Sequence, residues 1–120
     1  MAFAAQVLTG LIMLLHVVIV LLETVLFKTR GRRVFGLSAE QAEIMAPAMS
    51  NQGCYNGFLA AALAISLFHS NGTVAFYFAV YGLGCIAVAG VWGALTVNKS
   101  ILFIQTVPAV IALVLWHLPK

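Results

Sequence analysis

Four long apolar runs constrain the fold of this chain more than any other feature. The run at residues 73–96 contains no charged side chain. A helix needs about 20 apolar residues to cross a hydrocarbon core of about 30 Å, and the runs at 5–27, 51–70 and 101–118 also approach that length. They are continuous rather than alternating, which favours helices over barrel strands. The sequence therefore predicts an all-α, polytopic membrane protein, in which residues 1–120 form one four-transmembrane-helix bundle.

The overall composition agrees with this class. Hydrophobic residues make up 63% of the chain and charged residues 8%, and the mean hydropathy is +1.09. Soluble domains carry about 25% charged residues, so the chain is too apolar for that class. The first run has neither a basic leading segment nor a small-x-small cleavage site. We therefore expect a retained helix rather than a signal peptide.

The basic residues predict the orientation of the bundle. Lys120 follows the fourth run, and the other lysines and arginines lie on the opposite side: Lys28, Arg30, Arg32, Arg33 and Lys99. The positive-inside rule makes that side cytoplasmic and places both termini outside. The net charge of +3 then reflects anchoring at anionic headgroups, so we expect the lipid bilayer as a partner and no nucleic acid.

Residues 28–50 are predicted to be a cytoplasmic loop with a short interfacial helix. Ser38 followed by Gln41 fits a capping box, which would start this helix. Pro47 disfavours a helical conformation at the residue before it, so the helix should end near Met45. The apolar side chains of the segment predict that it lies along the membrane interface.

Small residues recur every four positions on two of the predicted helices. They are Gly53, Gly57 and Ala61 on the second helix, and Cys85, Ala89 and Gly93 on the third. Such stripes let helix backbones approach closely in a membrane, and we expect them to serve helix packing. The two cysteines belong to no CxxC pair, which predicts packing rather than redox or metal chemistry.

Two ionisable residues interrupt the first apolar run. His16 and Glu23 are seven positions apart, so they share a helix face and differ in depth by about 10 Å. Ionisable groups within a membrane turn inward and find partners. One histidine, one glutamate and amides lack a second strong ligand at metal-binding spacing, so we expect neither a metal nor another cofactor.

The start of the second helix carries polar groups at the depth of Glu23. Asn51 and Tyr55 form one pair four positions apart, and Gln52 and Asn56 form the neighbouring pair. The fourth helix begins on the same side and adds one more amide, that of Gln105. The sequence predicts a polar binding pocket in the cytoplasmic half, made by His16, Glu23, Asn51, Gln52, Tyr55, Asn56 and Gln105. Alternatively, these groups hold the helices together and bind no ligand.

Several motifs resemble those of a known family. The stretches LTGLIMLLHVVIVLLETVLF, NQGCYNGFLAA and IQTVPA, with FGL after the basic cluster, are similar to the domain-of-unknown-function 1304 family. Its members are small four-helix membrane proteins, mainly bacterial, without an established activity. The resemblance covers nearly the whole chain and implies the fold and a bacterial inner (plasma) membrane, but no reaction. The positions that match its motifs are His16, Glu23, Asn51, Gln52, Gly53, Tyr55, Asn56, Gly57 and Gln105.

Three functions are compatible with these features. The first is binding or proton-coupled transport of a small cationic or lipophilic ligand at Glu23, with the small chain forming a homo-oligomer. The second is a membrane enzyme of the isomerase or cyclase type, in which Glu23 and His16 are the catalytic candidates and the amides stabilise a polarised oxygen. The third is a structural partner subunit without chemistry.

Overall fold

The computed structural model describes residues 2–119, which fold almost entirely into helices. The elements in chain order are α1 (Ala2–Glu23), a π-helical segment (Phe27–Gly31), α2 (Arg32–Val34), α3 (Ala39–Phe68), α4 (Gly72–Thr96), a second π-helical segment (Leu102–Thr106) and α5 (Val107–His117). The described residues contain no strand, so the all-α prediction is confirmed. Lys120, on which part of the predicted orientation depends, lies outside the described residues.

Two helices of the described chain are long and apolar enough to cross a membrane. They are Phe3–Glu23, which is most of α1, and Gly72–Thr96, which is α4. The C-terminal helix Leu102–His117 is apolar but shorter. α3 is long, but charged residues in its first half and amides in its middle make it less apolar. Two of the four predicted spans therefore meet the length and composition of a membrane helix, and the four-helix transmembrane bundle stays a prediction.

The start of α3 confirms one sequence prediction, and its course corrects another. Ser38 N donates to Gln41 Oε1 at 2.9 Å, and Gln41 N donates to Ser38 Oγ at 3.1 Å, which is the predicted capping box. The prediction that the helix ends near Met45 is wrong, because α3 continues through Pro47 to Phe68. Proline removes one backbone hydrogen bond. Pro47 is exposed, so solvent can satisfy the carbonyl group that loses its partner.

One compact unit comprises the described residues of Met1–Met13 and Leu59–Lys120. Its core is apolar and consists of Ile12, Leu63, Ala79, Leu83, Ile86, Ala109 and Ala112. A Cβ atom on Gly82 would lie 2.8 Å from Leu63 Cδ2, so α4 approaches α3 closely in this unit. Three polar side chains here donate hydrogen bonds to neutral groups. Ser66 Oγ donates to Ala75 O at 2.8 Å, Thr106 Oγ1 to Ala87 O at 2.9 Å, and Trp116 Nε1 to Thr9 Oγ1 at 2.9 Å.

The second compact unit is Leu14–Phe58. It contains the C-terminal part of α1, the first π-helical segment, α2 and the first part of α3. Phe27 is fully buried in this unit, and its ring centroid lies 6.3 Å from that of Phe35. The acid and the amides that the sequence singled out on the first and second helices all belong to this unit.

The small-residue stripes pack only at some of their positions. Gly53 and Gly93 lie against neighbouring side chains, those of Thr24 and Ile101, whereas Ala61 and Ala89 are exposed. The role of both alanines in helix packing stays a prediction. An α-helix turns 100° per residue, so each step of four positions drifts by about 40° from the contact face. A stripe with this spacing leaves that face after a few turns.

Candidate functional site

Thr9, His16 and Glu23 of α1 are buried, whereas many of the large apolar side chains of this helix are exposed. The buried positions recur at steps of three, four and seven residues: Ala5, Thr9, Ile12, His16 and Glu23. The opposite side carries exposed apolar side chains such as Leu11, which is 59% exposed. This is the reverse of a helix on the surface of a soluble domain, where the apolar stripe faces the core. The arrangement places ionisable groups inside the protein, as is typical of membrane helices.

Glu23 and Asn56 form a buried pair. Asn56 Nδ2 donates a hydrogen bond of 2.5 Å to Glu23 Oε1. The two residues are 6% and 8% exposed, respectively. The sequence predicts that an acid of the first helix meets carboxamides of the second, and Asn56 makes that contact. Whether the pair binds a ligand stays a prediction.

Gly53 brings α3 close enough to α1 for this contact. Gly53 lies three positions before Asn56, and a Cβ atom on it would lie 2.6 Å from Thr24 Cγ2 and 3.2 Å from Glu23 Cβ. The first distance is shorter than any ordinary carbon–carbon contact. A side chain at this position would push the helices apart and lengthen the bond between Glu23 and Asn56. The predicted packing role of Gly53 is therefore directly linked to the acid.

Glu23 is the last residue of α1, and the helical pitch changes immediately after it. Thr24 Oγ1 donates to Val20 O at 2.6 Å, while Leu26 N donates to Leu21 O at 2.9 Å, five residues back. The wider turns continue through Phe27–Gly31. π-helical turns occur frequently at functional sites. The sequence predicted an uninterrupted helix to residue 27 and missed this change, for which it contains no recognisable signal.

The other predicted site residues are distributed over several environments. Asn51, Gln52 and Tyr55 are exposed on α3, and the ring of Tyr55 packs edge-on against Phe58. His16 is fully buried, two helical turns before Glu23 on the same helix. Gln105 is half-buried in the second π-helical segment, within the other compact unit. The described structure thus joins Glu23 with Asn56, and the wider seven-residue pocket stays a prediction.

Sequence reasoning missed Thr9 as a structural partner. Its hydroxyl is fully buried and accepts the hydrogen bond from the Trp116 indole at 2.9 Å. The signal was available, because Thr9 lies seven positions before His16 and so shares its helix face.

No basic group of the described chain neutralises Glu23. The ion pair found among the described residues joins Lys28 Nζ to Glu43 Oε2 at 3.0 Å, and both of its side chains are exposed. Asn56 donates a hydrogen bond to Oε1 of the Glu23 carboxyl group. A buried carboxylate without a cationic partner is strongly unfavourable. The site is therefore suited to hold a proton or a positively charged ligand.

Metal binding has no support from side-chain clustering. Among residues 2–119, no group of three or more histidine, cysteine, aspartate or glutamate side chains could hold a metal ion. His16 and Glu23 are separated by about 10 Å along the helix axis, so they cannot both contact one small reacting centre.

These features define an all-α protein with two apolar helices of membrane-spanning length and a buried acid–carboxamide pair. The family model described as "Protein of unknown function (DUF1304)" matches residues 10–117. The chain therefore belongs to this family, which confirms the resemblance seen in the sequence motifs. Comparison with curated proteins gave no match, and comparison with solved structures gave none either.

Proposed function

We propose that the chain is an integral membrane protein, with α1 and α4 crossing the bilayer and the apolar parts of α3 and α5 lying beside them in it. The support is the large apolar surface that the helices leave uncovered. Val88 and Leu95 of α4 are 68% and 79% exposed, for example. Soluble monomers rarely expose contiguous apolar surface on this scale. The turn at residues 28–33, which carries four of the six lysines and arginines, then lies on the cytoplasmic side.

We propose further that this protein binds and moves small organic cations in exchange for protons, with Glu23 as the exchanging group. The observation that carries the proposal is the buried Glu23 carboxyl group, which has a carboxamide partner but no basic one. Helix packing alone is satisfied by neutral hydrogen bonds, as the other compact unit demonstrates. An acid adds a group that can change its charge.

The exchange needs no further reactant. In the resting state the Glu23 carboxyl group holds a proton, and when an organic cation arrives the proton leaves and the carboxylate pairs with the cation. Asn56 Nδ2 donates to Oε1 in both states, so it holds the side chain in one position while Oε2 is available for exchange. Gln52, four positions before Asn56 on the same side of α3, offers a further amide to the solute.

Proteoliposomes provide the test. Purified protein is reconstituted with a pH-sensitive dye in the lumen, and tetramethylammonium or tetraphenylphosphonium is added outside. We expect proton release from the lumen as the cation enters, and we expect Glu23→Gln to abolish it because glutamine cannot exchange a proton. Glu40→Gln is the matched control, since Glu40 is an exposed acid in the first turn of α3.

Three outcomes would contradict the proposal. The first is cation-dependent proton movement that is equal in wild type and Glu23→Gln. The second is the absence of proton movement with both cations in wild-type protein that binds neither of them by equilibrium dialysis. Loss of activity in Glu40→Gln as well would attribute the effect to surface charge and would equally count against Glu23.

A further inference from the structure

The turn that follows α1 concentrates positive charge. Of the six lysines and arginines of the chain, four lie between positions 28 and 33: Lys28, Arg30, Arg32 and Arg33. We propose that this turn is a binding site for the phosphate headgroup of an anionic phospholipid, with Arg30 and Arg33 as the residues that contact it. The site is separate from the Glu23–Asn56 pair and does not depend on transport.

The backbone of this turn is held in one shape by contacts beneath the charges. Phe27 is 1% exposed and serves as its apolar anchor. Gly31 is buried against the Leu22 carbonyl group, where a Cβ atom would collide with that oxygen. At the other end, Gly36 adopts a positive φ of 71°, and Leu37 N donates to Arg32 O at 2.7 Å. The arginines are therefore carried by an ordered helical segment rather than by a flexible loop.

Two of the four cations already have partners within the turn and α3. Lys28 Nζ forms its 3.0 Å ion pair with Glu43, and an Arg32 Nη atom donates to Leu37 O at 3.4 Å. Arg30 and Arg33 are exposed and form no ion pair with a described residue. They lie three positions apart, Arg30 in the π-helical segment and Arg33 in the α2 helix that directly follows it. Two long guanidinium side chains at this spacing can reach the oxygens of one phosphate group, whose planar contacts guanidinium groups match.

The surroundings of these arginines favour a lipid over a soluble phosphate compound. The turn follows directly after an apolar helix of membrane-spanning length. Large apolar side chains beside the cations are left uncovered: Val25 is 79% exposed, Val34 is 66% exposed and Phe35 is 40% exposed. An element with apolar and basic groups side by side binds at the boundary between headgroups and acyl chains. An anionic phospholipid satisfies both kinds of group at once.

Native mass spectrometry of the full chain in neutral detergent tests this site. Phosphatidylglycerol and phosphatidylcholine with identical acyl chains are titrated, and the bound fractions are compared. We expect preferential binding of phosphatidylglycerol, and we expect the double variant Arg30→Gln/Arg33→Gln to bind it about tenfold to thirtyfold more weakly. Lys99→Gln removes one exposed cation elsewhere in the chain and should leave binding unchanged.

Other arms of the experiment can overturn the proposal. Equal binding of the two lipids to wild type would do so, and so would unchanged phosphatidylglycerol binding in the double variant. Displacement of the lipid by an equimolar amount of glycerol 1-phosphate would assign the site to soluble phosphate compounds instead. Circular dichroism checks that the double variant is folded, which the exposure of both arginines leads us to expect. Glu23→Gln should bind phosphatidylglycerol like wild type, so this proposal and the transport proposal can fail independently.

Discussion

The two compact units of the chain bury polar groups of different kinds. In the unit made by the described residues of Met1–Met13 and Leu59–Lys120, hydroxyl and indole groups donate to neutral oxygens. In Leu14–Phe58 the buried side chains include the carboxyl group of Glu23, and its described partner is the neutral amide of Asn56. A hydrogen-bonded pair of neutral groups needs no charged partner. A carboxyl group paired with an amide remains able to bind a proton or a cation, and for this reason we propose that the second unit carries the function.

The largest effect is expected where the second unit is packed most tightly. Gly53→Val should destabilise the protein by about 2–3 kcal/mol, because the new side chain has to enter the space between α1 and α3 that Thr24 and Glu23 already fill. Thermal unfolding in detergent measures the change. Gly84→Val is the matched control, since no atom lies within 4 Å of a Cβ built on Gly84 of α4. We expect it to change stability by less than about 1 kcal/mol. Equal destabilisation by the two variants would show that Gly53 is not packed more tightly than Gly84.

An intermediate effect is expected when the acid loses its amide. Asn56→Leu should cost about 1–3 kcal/mol, because the Glu23 carboxyl group is then buried without its described donor. Adding Glu23→Leu to this variant should recover most of the loss, since both polar groups are then replaced by apolar ones. Unfolding of the single and double variants under the same conditions measures the coupling. Strict additivity of the two changes would contradict a direct contact between these side chains.

The smallest effect is expected in the other compact unit, where Trp116 donates to Thr9. Trp116→Phe keeps the aromatic packing and removes the indole donor to Thr9, so it should destabilise the protein by about 1 kcal/mol. Pairing it with Thr9→Val, which removes the buried acceptor, should bring little further loss. Proton exchange in proteoliposomes should be unchanged in Trp116→Phe. A loss of exchange in that variant would end the functional distinction between the two units.

The sequence predicted the composition of the buried acid site better than its geometry. Glu23 and a carboxamide could be expected to meet, because an ionisable group on an apolar helix has to find a polar partner. It could not be foreseen that Asn56 would be that partner while Gln52 remains exposed. These residues are one helical turn apart on the same side of α3, and the approach of α1 at Gly53 decides between them.

The errors in the predicted fold arise from local rules that other contacts override. Pro47 was expected to end a helix, but α3 continues through it. The capping box at Ser38 stabilises the start of the helix, and water can hydrogen-bond to the carbonyl group that loses its backbone donor. The π-helical turns after Glu23 could not be predicted, because residues 24–31 have no composition that distinguishes them from an ordinary helix end. Gln105 was assigned to the same pocket as Glu23 by its depth alone, and this assignment stays a prediction.

The most direct test of the central claim is infrared difference spectroscopy of the protein in lipid bilayers. Spectra are recorded before and after tetramethylammonium or tetraphenylphosphonium is added at constant pH, in wild type, Glu23→Gln and Glu40→Gln. If Glu23 exchanges a proton for a cation, the carbonyl band of a protonated carboxyl group disappears in wild type and Glu40→Gln and is missing from the spectra of Glu23→Gln. An identical difference spectrum in wild type and Glu23→Gln would contradict the claim.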